Sequence, residues 1–131
     1  MLLTRECDYA IRVVRALSDF QITPVKTICE REHIPQQFAY KILKKMEQSG
    51  FVLSHRGARG GYQLAKKLST ITLFDIVSVI DDKLFINECL YPGKSCPNHS
   101  DEEFCGVHYE LVRIQAILVD ALCEKTIDEV V

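Results

Sequence analysis

The sequence of 131 residues has no uninterrupted apolar run approaching the roughly 18 to 20 residues that cross a bilayer, so no membrane span and no membrane partner are expected. Its opening, MLLTRECDYA, carries charges where a signal peptide needs an apolar core, and the expectation is a soluble, unexported, cytoplasmic protein. No glycine-rich phosphate loop and no paired acid–base motif is present, which leaves little support for an enzyme. Six cysteines are too sparse for a disulfide-stapled scaffold. In a reducing compartment, unpaired thiols point instead to metal, catalysis or redox sensing, with plain burial the alternative for any one of them. Internal repeats and low-complexity segments are missing as well. A chain this short holds one globular domain, or a small domain with an appendage.

What is present is unevenly distributed. The net charge of −2 divides into +6 over residues 1–67 and −8 over residues 68–131. A basic first half suggests a polyanionic partner, and an acidic second half suggests a region kept away from it. The same cut serves as the expected division of labour, with a DNA-binding region over 1–67 and a linker helix, cysteine loop and dimerisation helix over 68–131.

Helical spacing of Tyr9, Ala10, Val13, Val14 and Leu17 predicts a first helix from Thr4 to near Ser18. Pro24 opens a second short helix with Val25, Ile28 and Cys29 on its apolar face. Pro35 opens a third, running to about Ser49 before Gly50. On this third helix Phe38, Ile42, Leu43 and Met46 form an apolar face, while Gln37, Tyr40, Lys41 and Lys44 recur at i, i+3, i+4 and i+7 on another. Two β-prone segments, 51–54 and 62–64, flank the turn HRGARGG and predict a hairpin. Thr72 with Asp75 forms a capping box for a fourth helix with Leu73, Ile76, Val77 and Ile80 inward. Residues 83–104 read as irregular. Beyond them Val107, Leu111, Ile114, Leu118 and Ala121 step by four, three, four and three, the rhythm of a helix that packs on a partner as well as on its own domain.

Two tightly joined helices followed by a hairpin are the pattern of a winged helix-turn-helix. The fold class expected is therefore mainly α with a small β-hairpin, completed by a long C-terminal dimerisation helix. The third helix would enter the major groove: Gln37 suits adenine edges, Lys41 and Lys44 suit guanine or phosphate, and Tyr40 suits a thymine methyl or a phosphate. Arg56 and Arg59, on a glycine-flanked turn, suit the minor groove or adjacent phosphates. Gln36 and Tyr62 complete the candidate DNA contacts. The plain alternative for each is a solvated polar face.

The segments LTRECDYAIRVV, RGARGGYQLA and ITLFDIVSVID, followed by a late cluster of three cysteines, closely resemble the Rrf-type family of bacterial transcriptional regulators. The resemblance spans essentially the whole chain and is to the iron–sulfur-cluster-binding, IscR- and NsrR-like branch. It implies a homodimeric winged helix-turn-helix repressor that binds a double-stranded DNA operator, with the C-terminal helix as the dimer seam. It also implies that the cysteine loop binds an iron–sulfur cluster responding to iron, redox or nitric oxide status.

Cys89, Cys96 and Cys105 are separated by six and eight residues, and His108 follows the last of them after two intervening residues. Soft thiolates on one loop suit zinc or an iron–sulfur cluster, though the gaps are wider than the short knuckles of structural zinc sites. The gaps are also wider than the family's usual spacing, which bears on cluster type. For a fourth ligand the resemblance offers two residues: His108 from the same subunit, as in IscR-like proteins, or Asp8 from the partner, as in NsrR-like ones. The first would suit a two-iron cluster and the second a four-iron cluster. Cys29 and Cys123 read as core packing and Cys7, beside Asp8, as either core or cluster-facing; His33, His55 and His99 read as surface residues. A cluster-free regulator of the same fold, sensing a small molecule, thiol oxidation or a partner protein, is the alternative. An enzyme with a cysteine nucleophile is disfavoured, because an acidic loop does not lower a thiol pKa.

Overall fold

The computed structural model describes residues 3–98 and 104–131. Five α-helices and one two-stranded sheet follow one another among these residues: α1 (Arg5–Ala16), α2 (Val25–Glu32), α3 (Gln36–Gln48), β1 (Val52–His55), β2 (Gly61–Leu64), α4 (Leu73–Ile80) and α5 (Gly106–Glu124). This is a winged helix with a long C-terminal helix, as the sequence pattern predicts. His99 lies outside the described residues, so its expected surface position has no counterpart here.

The first four helices begin at a threonine or a proline, whereas α5 begins after Cys105 without a side-chain cap. The Thr4 hydroxyl accepts from the Cys7 amide at the start of α1, and Pro24 and Pro35 occupy the N-cap positions of α2 and α3. Thr72 and Asp75 form the reciprocal box at α4. The buried faces of α1, α3 and α4 meet in one core: Val13, Val14 and Leu17, then Ile42, Leu43 and Met46, then Ile76 and Val77 are all fully covered. Phe38 is half-buried and its ring lies 5.6 Å from that of Tyr9. The linker helix is thus part of the same packed body as the helix-turn-helix.

The antiparallel hairpin pairs Val52 with Leu64 and His55 with Gly61. It is stitched to the α1–α2 connection by Thr23, which donates to the Tyr62 carbonyl at 2.8 Å and accepts from the Tyr62 amide at 2.9 Å. Gly61 makes this approach possible, because a Cβ there would stand 2.3 Å from the Thr23 carbonyl oxygen. The wing is therefore held against the entry to α2 and cannot swing independently of the helices.

In α5 the stepped apolar pattern divides between two adjacent faces. Leu111 and Leu118 are half-buried and Leu122 is buried against the rest of the chain. Val107, Ile114, Ile117 and Ala121 face outward and are exposed. After α5 the chain returns to its own domain, where the Ile127 amide donates to the Ile71 carbonyl at 2.8 Å. Cys123, expected in the core, is exposed, because its neighbour Leu122 takes the inward position and a helix turns about 100° per residue. No helix among the described residues is long and apolar enough to cross a membrane.

Candidate functional site

Two surfaces collect the residues singled out from the sequence. The first lies between α3 and the wing. Gln36, Gln37, Tyr40, Lys41 and Lys44 are all exposed on α3, since Ala39, Ile42, Leu43 and Met46 occupy the opposite, buried face. Gln36, Tyr40, Arg56 and Tyr62 line one groove of about 520 Å³ together with Lys26 and His55. Gln37, Lys41 and Lys44 lie outside that groove on the same helix, and Arg59 is exposed on the hairpin turn.

Lys26 was not singled out from the sequence, and His55, read there as a surface residue, is half-buried. Lys26 enters because α2 begins beside the wing, a placement created by the Thr23–Tyr62 pairing. His55 has a partner that its isolated position in sequence did not disclose: its Nε2 lies 3.2 Å from Gln63 Oε1 across the hairpin. Gln63 in turn donates to the Phe20 carbonyl at 2.6 Å. Burial, with the Glu47 and Tyr40 oxygens nearby, pushes the Tyr62 hydroxyl above its ordinary value, so it remains a protonated hydrogen-bond donor at neutral pH.

A polar network behind this surface fixes the angle between α1 and α2. The Arg15 guanidinium pairs closely with the Glu32 carboxylate, and Glu32 is buried. Arg12 donates to the Glu32 carbonyl at 3.2 Å and pairs with Asp8 at 3.0 Å. A buried carboxylate in a short helix gives no periodic signal, so the sequence concealed this contact.

The second surface is the cysteine region. Cys89, Cys96, Cys105 and His108 line one cavity of about 540 Å³. Cys89 sits in a short 3-10 turn at Glu88–Leu90, Cys105 is the N-cap residue of α5, and His108 is in the first turn of that helix. Gln115 holds the approach to the cavity: its Oε1 accepts from the Ile86 amide at 2.9 Å and its Nε2 donates to the Leu84 carbonyl at 2.8 Å. A single side chain on α5 thus receives the irregular segment leading to Cys89.

All six cysteines are free. Among the described residues, no three histidine, cysteine, aspartate or glutamate side chains already converge as for a single metal ion. Asp8 is absent from the cavity lining and is engaged with Arg12, while Cys7 is wholly buried and receives a hydrogen bond from the Thr4 hydroxyl at 3.2 Å. Cys7 is therefore a core residue in this subunit. Cys29 is half-buried against the core, and its burial pushes the thiol above its ordinary value.

Comparison with known proteins gives concordant matches. The Rrf2 family model, described as an iron-dependent transcriptional regulator, matches residues 3–131. Protein aau3 of Rhizobium meliloti (strain 1021) is 31% identical over 134 residues, spanning 100% of this chain and 85% of its own. Among solved structures, T. potens IscR superposes with a TM-score of 0.74 at 20% identity, covering 95% of this chain and 82% of that one. CymR (YrzC), named as the global cysteine regulator of B. subtilis, superposes with a TM-score of 0.76 at 20% identity, covering 95% and 92%. At that level of identity the two structures establish the shared winged-helix fold.

Proposed function

Because the chain belongs to the Rrf2 family of transcriptional regulators, we propose that it is a homodimeric repressor whose hold on a double-stranded DNA operator follows an iron–sulfur cluster bound by Cys89, Cys96, Cys105 and His108. The family is one of regulators, not of enzymes. The observation that carries the proposal is the single cavity lined by three free thiols and an imidazole. A soft donor set spread around a space of this size suits a multi-atom cluster, whose ligands stand farther apart than those of one tetrahedral ion.

Residues 1–67 carry the reading head. Gln36, Gln37, Tyr40, Lys41 and Lys44 present the major-groove face of α3, and Arg56 and Arg59 reach from the wing to phosphates or the minor groove. The Tyr62 hydroxyl supplies a further donor. Residues 68–131 carry the switch and the dimer seam, formed by the outward apolar face of α5 at Val107, Ile114, Ile117 and Ala121. Gln115 ties the segment before Cys89 to α5, so the order of the cysteine segment is linked to the helix that spaces the two reading heads. When bound, the cluster supplies a centre altered by iron status, oxidants or nitric oxide. A coupling of about 1 to 3 kcal/mol is enough to change DNA occupancy 5- to 150-fold.

Anaerobic purification followed by iron and sulfide analysis and visible spectroscopy tests the cofactor. The expected result is a coloured protein containing both elements, and its affinity for duplex DNA is expected to change when iron is removed by a chelator. His108→Ala is expected to alter the visible spectrum and Asp8→Ala to leave it unchanged; the reverse outcome transfers the fourth position to Asp8 of the partner subunit. Lys44→Ala and Arg59→Ala are each expected to weaken duplex binding and to flatten the dependence of log K on log salt by about 0.9. Salt titrations with unchanged slopes for both variants would remove these residues from the interface.

A second reading is a cluster-free thiol switch of the same fold. It is favoured by the likeness to CymR, named as a cysteine regulator. A colourless protein whose DNA affinity changes on thiol oxidation would establish it over the cluster.

A further inference from the structure

Lys41 stands exposed on α3, yet its ammonium already has a carboxylate partner. Glu6 Oε1 lies 2.5 Å from Lys41 Nζ, across 35 residues of sequence. The second oxygen of Glu6 is 3.5 Å from Lys45 Nζ, and Lys45 also donates to the carbonyl of Ile80, the last residue of α4, at 2.9 Å. Glu6 is the more buried member of its pair. Its side chain is 24% exposed against 56% for Lys41, and it rides on the first turn of a helix anchored by the wholly buried Cys7. The Lys41 hydrogen bond, reinforced by the charges of both lysines, holds the Glu6 carboxyl below its ordinary value, so it is ionised at neutral pH.

We propose that Glu6 is an affinity-setting residue of the DNA interface: in the free protein its carboxylate holds the place on Lys41 that a DNA phosphate oxygen takes in the complex. The proposal rests on the reading of α3 as the DNA-recognition helix. A lysine that meets DNA without an internal partner replaces a condensed cation on the backbone and steepens the salt dependence of binding. Lys41 instead leaves behind a carboxylate, which draws a cation from solution and offsets the one released. Glu6 thereby lowers both the affinity and its sensitivity to salt, since Lys45, at 3.5 Å and also donating to the Ile80 carbonyl, is the weaker of its two partners. Because Lys45 also holds the end of α4, the charge exchange occurs at the junction between the reading helix and the segment leading to the cysteines.

The test is fluorescence anisotropy of a labelled random-sequence duplex against salt, with wild-type protein, Glu6→Gln, Lys41→Gln and the double variant. Glu6→Gln is expected to bind about two- to fivefold more tightly at about 0.1 M salt, the range of an exposed ion pair, with a log–log slope steeper by about 0.9. In the Lys41→Gln background the same change is expected to give no gain. Unaltered affinity and slope for Glu6→Gln overturn the proposal. A gain that persists undiminished without Lys41 also overturns it, because a general field of one removed charge would then suffice. Failure of the wild-type protein to bind any duplex removes the DNA-binding reading itself, and this inference with it. Side-chain nitrogen NMR of the wild-type protein needs no variant: the Lys41 ammonium resonance is expected to shift on saturation with duplex, and an unmoved resonance means that Glu6 keeps its partner.

Discussion

Cys96→Ala is expected to yield a folded protein that contains no iron or sulfide after anaerobic purification, shows no visible absorption and binds DNA equally with and without iron. Cys96 is the cysteine to replace because it lies in neither a helix nor a 3-10 turn. Cys105 is the N-cap residue of α5, without a side-chain capping hydrogen bond, and Cys89 lies within a 3-10 turn. Cys96 is half-buried and lines the same cavity. Its loss from a surface segment is expected to change apo-protein stability by no more than about 0.5 kcal/mol. Full retention of colour and iron in this variant would contradict the ligand assignment; unfolding of the metal-free variant, measured by circular dichroism, would show a structural role instead.

Gly61→Ala is expected to damage DNA binding from a position that presents no side chain to the duplex. The added Cβ meets the backbone of the α1–α2 connection, with the Thr23 carbonyl carbon at 2.5 Å and the Pro24 nitrogen at 2.7 Å. Neither atom can rotate aside as a flexible side chain would. The pairing of Thr23 with Tyr62 must open, and a stability loss of about 1 to 3 kcal/mol is expected from forced overpacking. Released from α2, the wing no longer holds Arg56 and Tyr62 in one groove with Gln36 and Tyr40. Denaturant unfolding and duplex titration should therefore both move. Equal stability of Gly61→Ala and wild type would show that the wing is not fastened through this contact.

Local order was legible along most of the chain because it is encoded within a few residues. The threonine and proline caps, the glycine after α3 and the spacing of Ile42, Leu43 and Met46 depend on hydrogen bonds and side-chain directions within one or two helical turns. The arginines of the hairpin turn and the polar stripe on α3 were legible for the same reason, as were the three cysteines as a group. Cys123 was misread because an apolar stripe on α5 is wide enough to serve two faces, and periodicity does not say which face the domain itself will cover.

Contacts between charged or amide side chains far apart in sequence were not legible. Glu6 with Lys41, Glu32 with Arg15 and Gln115 with the Leu84 and Ile86 backbone each join residues 17 or more positions apart. A carboxylate can be buried only where a cation meets it, and that meeting is decided by how helices cross, not by the pattern along either helix. The elements, their caps and the basic and acidic halves were written into the order of the amino acids. Packing alone put His108 rather than this subunit's Asp8 on the cavity wall with the three thiols, set Asp8 against Arg12 and gave Lys41 a carboxylate to relinquish, because each of these depends on distances in space that no local repeat contains.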